Sequence, residues 1–213
     1  MKNNRSHNIP MTHVKKQRLS RLNQHTLVFV GLMGAGKTVI GKRVATILHL
    51  PFYDSDQEIE KAAQMTINEI FEIYGESEFR AVERRVITNL IKKGPIVLAT
   101  GGGAYMNEDI RKTIQKNGIS IWLKADINVL IERVSRRLTR PLLQTESPKE
   151  TMQKLMEQRY PIYAKANLMI NSQKKCYHAV ARDVVRSVQR YLYTEINDRN
   201  NVHADKNRCC QTR

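Results

Sequence analysis

The chain has 213 residues, 41% of them hydrophobic, with a formal net charge of +16 and three cysteines. That length suits one domain with tails, large enough to bury a core without disulfides or metals. No apolar run approaches the roughly 20 residues of a membrane helix, and no apolar stretch follows the charged first residues as a secretory signal would require. Cys176, Cys209 and Cys210 are odd in number and lack zinc-site spacing, which points to a reducing, cytoplasmic setting. The charge is spread: +6 in residues 1–25, +9 in 26–194 and +1 in 195–213. A basic core of this kind suits small anionic substrates, and the spread argues against a nucleic-acid partner.

Residues 1–25 lack a sustained apolar period and read as a flexible basic extension. "TLVFV" (26–30) reads as a buried strand, and "GLMGAGKT" (31–38) follows it directly. Residues 37–48 have helical spacing. "PFYDSD" brings a second strand ending near Asp54. Thr66 and Glu69 fit a capping box for the helix "INEIFEIY". "IVLAT" (96–100), "SIWLKA" (120–125) and "NLMIN" (167–171) are three further strands. Asp126 is placed to cap "INVLIERVSRR". Residues 139–148 hold two prolines and read as a loop. A last amphipathic helix covers about 178–193, with a polar tail over 194–213. Such alternation predicts an α/β domain over 26–193, with a parallel sheet covered on both faces.

"GLMGAGKT" matches the spacing G-x-x-x-x-G-K-[ST] of a phosphate-binding loop. Glycines such as Gly34 and Gly36 let backbone N–H groups turn inward around phosphates, and the following helix points its positive end at them. Ala35 falls within the same segment, and Val39 follows it directly. Lys37 is expected at the β/γ oxygens and the Thr38 hydroxyl on Mg²⁺. The loop identifies a nucleotide. It does not identify an acceptor.

Further along, "FYDSDQEIE" sets Asp54 and Asp56 at the carboxyl end of a strand, where open α/β sheets bind ligands, although taken alone Asp56 reads first as a helix cap. "GESEFRAVE" offers Arg80 and Glu83 at a spacing that usually means an exposed ion pair. "ATGGGAY" supplies Gly101, Gly102 and Gly103, either a close backbone approach to a ligand or a tight turn. "RRLTRPLL" and "EQRYPIY" contribute Arg136, Arg137, Arg140 and Arg159, each unremarkable alone.

The order of these motifs closely resembles the shikimate kinase family: phosphate loop, D-x-D, G-E-x-E-F-R, G-G-G, R-P-L-L, R-x-P-x-Y. The resemblance covers about residues 26–193. It implies a three-layer α/β/α P-loop kinase fold, with a five-stranded parallel sheet in the order 2-3-1-4-5 and a mobile lid, about 137–148. It implies ATP-dependent phosphorylation of the 3-hydroxyl of shikimate, in aromatic amino acid biosynthesis, by a cytoplasmic enzyme expected to be monomeric. By the same resemblance, Lys37 and Thr38 are the phosphate lysine and Mg²⁺ ligand, and Asp54 holds Mg²⁺ through water. Asp56 contacts shikimate hydroxyls as the candidate base. Arg80 and Arg159 clamp the shikimate carboxylate, and Gly101–Gly103 offer backbone to the acceptor. Arg140 meets the transferring phosphoryl group, and Arg136 lies on adenine.

One departure stands out. Many members place a proline after the fifth strand against the other adenine face, whereas this chain reads "NSQKKCYHAV". The tails match nothing in the family pattern. Two rivals remain open at this level: another small-acceptor P-loop kinase, such as a gluconate kinase, and a non-catalytic homologue that only binds.

Overall fold

The computed structural model describes residues 24–135, 147–172 and 176–209, the side chains of the last segment to residue 194. Five strands form one parallel sheet: β1 (Thr26–Val30), β2 (Phe52–Asp54), β3 (Val97–Ala99), β4 (Gly118–Lys124) and β5 (Leu168–Asn171), in the order β2-β3-β1-β4-β5. β1 lies in the middle, with Leu27 opposite Val97 on one side and Ile119 on the other. All five of its residues are buried, which is why it reads as an unbroken apolar run instead of an alternating one. β2 and β5, at the sheet edges, stay partly exposed.

Parallel neighbours require crossovers, and helices supply them. They are α1 (Lys37–Leu48), α2 (Ser55–Ala63), α3 (Ile67–Lys92), α4 (Glu108–Asn117), α5 (Ile127–Ser135), α6 (Pro148–Tyr163) and α7 (Tyr177–Cys209). α1 packs against α7, and α3 packs against α2 and α4. The carboxyl ends of the strands therefore share one edge, and the phosphate loop, the D-x-D segment and the three glycines all emerge there.

Local signals decide most helix starts. Thr66 and Glu69 form the expected capping box: the Glu69 N–H donates to Thr66 Oγ1 (3.2 Å) and the Thr66 N–H to Glu69 Oε2 (2.7 Å). Asp126 accepts from the Asn128 N–H (2.9 Å) and so caps α5. The D-x-D segment differs from its simplest reading. The cap of α2 is Asp54, and Asp56 sits inside the first turn.

Two helices differ from their expected lengths. α3 continues through Lys92 and bends at Gly75 (φ 80°, ψ 176°), a conformation that a side chain would strain. α7 runs on to Cys209 instead of ending near 193. Its buried stripe (Val180, Ala181, Val184, Val185, Val188) ends earlier, but no proline or glycine follows to stop the helix. Of the expected lid, all but Ser147 and Pro148 lies outside the described residues, and Pro148 already opens α6. No helix among the described residues is long and apolar enough to cross a membrane.

Candidate active site

The nucleotide side is built from one continuous segment. Gly34 and Gly36 have φ of +79° and +94°, so the chain can curl tightly between β1 and α1. Gly36 caps α1 without a side chain, leaving the helix N-terminus facing the loop. Lys37 folds back over the loop and donates to the carbonyls of Gly31 (2.7 Å) and Leu32 (3.0 Å). Ala35 faces inward, buried, with its carbonyl held by the Ser172 hydroxyl at 2.8 Å. Gly34, Gly36, Lys37, Thr38 and Val39 line a cleft of about 280 Å³ together with Asp54, Asp56 and Gly102.

Thr38 Oγ1 donates to Asp54 Oδ2 at 2.7 Å, and Asp54 Oδ1 accepts from the Asp56 N–H at 3.1 Å. A hydroxyl and a carboxylate thus converge at the cleft floor beside the phosphate loop. Such a pair of hard oxygen donors fits Mg²⁺, which takes few protein ligands and keeps waters and phosphate oxygens for the rest.

The acceptor side gathers residues far apart in sequence around the three glycines. A Cβ on Gly101 would stand 2.7 Å from Asp56 Oδ1 and 3.0 Å from Glu83 Oε1, and one on Gly103 would stand 2.7 Å from Arg80 Nη1. A side chain at either position would have to push these carboxylates or the Arg80 guanidinium aside. The corresponding point on Gly102 lies 3.5 Å from Arg159 Nη1 and 3.8 Å from the Gly31 carbonyl, so Gly102 lies next to both Arg159 and the phosphate loop. The Gly101 N–H donates to the buried Ser55 hydroxyl at 2.9 Å, which ties this turn to the D-x-D segment.

Arg80 and Glu83 are not an exposed pair. Glu83 is 1% exposed and accepts from Arg80 Nη1 at 2.8 Å, while Glu76 holds the other edge of the guanidinium at 3.0 Å. Burial pushes the Glu83 carboxyl above its ordinary value, and Arg80 only partly draws it back. Arg80 is itself raised: burial works against its charge, but the bonds to Glu83 and then Glu76 outweigh it. Glu83 bears the desolvation, and Arg80 is thereby held at the turn. The expectation of a solvated ion pair failed because spacing along a helix says nothing about what the helix packs against.

The comparisons with known proteins agree with this geometry. The family model described as shikimate kinase matches residues 33–189. The chain belongs to the shikimate kinase family. Shikimate kinase of Bartonella quintana is 70% identical over 210 residues, 99% of this chain and all of that protein, so most of both tails is shared with it. Shikimate kinase of Mesorhizobium japonicum is 49% identical over 82% of this chain and 86% of its own length. Among solved structures, shikimate kinase from Acinetobacter baumannii in complex with shikimate has a TM-score of 0.76 at 34% identity, covering 80% of this chain and 96% of that one.

Two of the residues singled out from the shikimate kinase pattern, Arg136 and Arg140, lie outside the described residues. The cleft shows instead two that sequence reasoning missed, Arg133 and Tyr177. The Arg133 guanidinium donates to the carbonyls of Gly34 (3.3 Å) and Ser172 (3.0 Å) and lies 5.3 Å from the centre of the Tyr177 ring. Arg43 stands 5.6 Å from the same ring centre. Arg133 had a weak signal, because Leu130 and Val134 beside it form the buried stripe that presses on the phosphate loop. Tyr177 had none: it opens α7, where this chain lacks the shikimate kinase proline.

Proposed function

We propose that this chain transfers the γ-phosphoryl group of ATP to the 3-hydroxyl of shikimate, giving shikimate 3-phosphate and ADP. The observation that carries this reading is the position of Gly102, next to both the phosphate loop and Arg159, with Asp56 and Arg80 at the glycines on either side of it. An acceptor held by its carboxylate at the arginines would meet the nucleotide's terminal phosphate across that turn. Arginine's planar fork matches a carboxylate, so Arg80 and Arg159 are assigned to clamp it. Asp56 orients the attacking hydroxyl and takes its proton late, because phosphoryl transfer passes through a loose transition state. Lys37 leaves its loop carbonyls for the phosphates, and Arg140 meets the transferring group.

Thr38 and Asp54 are assigned to Mg²⁺, which when bound neutralises charge between the terminal phosphates. Arg133 and Tyr177 wall the end of the cleft where the base is expected, with Arg136 assigned to the same end. Seating both substrates before closure keeps water from taking the phosphoryl group. A cytoplasmic, monomeric enzyme of aromatic amino acid biosynthesis completes the reading, with residues 1–25 as a dispensable extension. The test is ATP consumption by the purified protein with Mg²⁺ and either shikimate or gluconate. Rapid turnover with shikimate alone is expected, and equal use of gluconate or none of shikimate overturns the reading.

A further inference from the structure

Tyr163, the last residue of the R-x-P-x-Y stretch, has no part in the reaction as described above. It is completely buried, and its hydroxyl donates to the carbonyl of Gly102. We infer that Tyr163 is a positioning residue for the acceptor, which fixes the Gly102–Gly103 peptide so that its N–H faces the bound shikimate. This inference rests on the shikimate kinase reading and adds to it a residue and a geometric cause.

The Gly101 carbonyl accepts from the Ala104 N–H at 3.3 Å and the Gly103 carbonyl from the Met106 N–H at 3.0 Å. Tyr163 takes the Gly102 carbonyl, so all three carbonyls are used. The Gly101 N–H goes to Ser55. The N–H groups of Gly102 and Gly103 have no partner among the described residues. They are the polar groups the turn leaves for a ligand, on two residues that stay partly exposed.

The peptide plane then sets direction. In a trans peptide the C=O of one residue and the N–H of the next point opposite ways. Pinning the Gly102 carbonyl towards α6 therefore turns the Gly103 N–H away from α6. A glycine turn has little of its own to resist rotation of that plane, since no side chain restricts it. The phenol supplies the restraint.

The same helix also carries Arg159, one turn before Tyr163, so both project from one face. Arg159 approaches the Cα side of Gly102 while Tyr163 holds its carbonyl. One rigid element thus sets both the carboxylate contact and the peptide contact in register. The Tyr163 ring is held in turn by Tyr105, Trp122 and Tyr160, with ring centres 6.3, 6.0 and 6.4 Å away. Burial pushes its phenol up to about 12 despite the opposing pull of Arg159, so it remains a donor across the working pH range.

Tyr163→Phe keeps the ring and removes the donor. It should raise KM for shikimate about five- to tenfold, the effect of one lost hydrogen bond, with KM for ATP changed less than twofold. Tyr160→Phe is the control. It removes a hydroxyl from the same helix and cluster, but one that donates to Ala125, and should leave KM for shikimate unchanged. An unchanged KM for shikimate in Tyr163→Phe, even with a lowered Tm, assigns the residue to stability alone and overturns the inference. So does an equal loss for ATP and shikimate. Should Tyr163→Phe not fold, 3-fluorotyrosine at position 163 keeps the shape and lowers the phenol pKa. KM for shikimate should then rise at alkaline pH where the unmodified protein's does not, and a matching profile overturns the inference. The unmodified protein's turnover with shikimate separates failure of the inference from failure of the kinase reading.

Discussion

The two halves of the active cleft are built on different principles. The nucleotide half is one contiguous segment, residues 31–38, whose shape follows from glycine φ values and a helix start. The acceptor half takes Asp56 from α2, Arg80 and Glu83 from α3, the glycines from the end of β3 and Arg159 from α6. The first is specified chiefly by local backbone geometry. The second exists only when four elements have docked. The nucleotide half can thus be shared among many phosphate-loop proteins, while selectivity for shikimate is proposed to reside in the acceptor half.

The largest effect should separate chemistry from binding on the nucleotide side. Arg140→Ala is expected to lower kcat on the order of 10³-fold, as other arginines at a transferring phosphoryl group do, with a smaller change in ATP affinity. Steady-state and equilibrium binding measurements together check this. Near-normal kcat with only a raised KM for ATP would remove Arg140 from the transition state.

Next come the arginines of the acceptor half. Arg159→Ala and Arg80→Ala should each cost about 3 kcal/mol in kcat/KM for shikimate, on the order of 150-fold, because each leaves a carboxylate half-paired. ATP affinity without shikimate should barely move. The double variant should lose less than the sum of the two, since both meet one partner. Additive losses would mean that the two arginines act on separate groups.

Glu83 gives a smaller, pH-dependent effect. Its carboxyl is raised by burial, so on acidification it takes a proton earlier than a surface glutamate and weakens its hold on Arg80. KM for shikimate should therefore rise on acidification, at a pH above the ordinary glutamate range. Glu83→Gln should show a raised KM, about tenfold at neutral pH for one lost charge-assisted bond, and no such acid limb. For stability the sign is the reverse. A carboxyl whose folded pKa is raised contributes stability that is fully present below its unfolded value and lost as pH rises through the folded one. The ionised Glu83 is therefore a cost the fold bears for the site. Stability measured against pH in Glu83→Gln should lack that loss. A retained acid limb in the variant would assign it to another group.

The smallest effect lies outside both halves. Deleting residues 1–24 should leave kcat and Tm nearly unchanged, because their composition supplies no core to lose. A marked drop in either would show that the segment packs on the domain.

The sequence by itself determined what short-range physics controls. An apolar run such as "TLVFV" has to be buried, and it forms the central strand with the bounds its composition suggests. The glycine spacing around Lys37, the Thr66–Glu69 box and the Asp126 cap are settled within a few residues by backbone hydrogen bonds. The ordered motifs then named the family. Tertiary structure alone decided which charges are solvated, because desolvation depends on elements that arrive from elsewhere in the chain. Glu83 and Arg80 have the spacing of a surface pair, yet Glu83 is buried where α3 meets the Gly101–Gly103 turn. Tyr177 and Arg133 carry no motif and meet at the cleft because α7 and α5 dock beside the phosphate loop. Tyr163 reaches the Gly102 carbonyl only when α6 closes the acceptor side, a contact between residues 61 apart that no local pattern encodes.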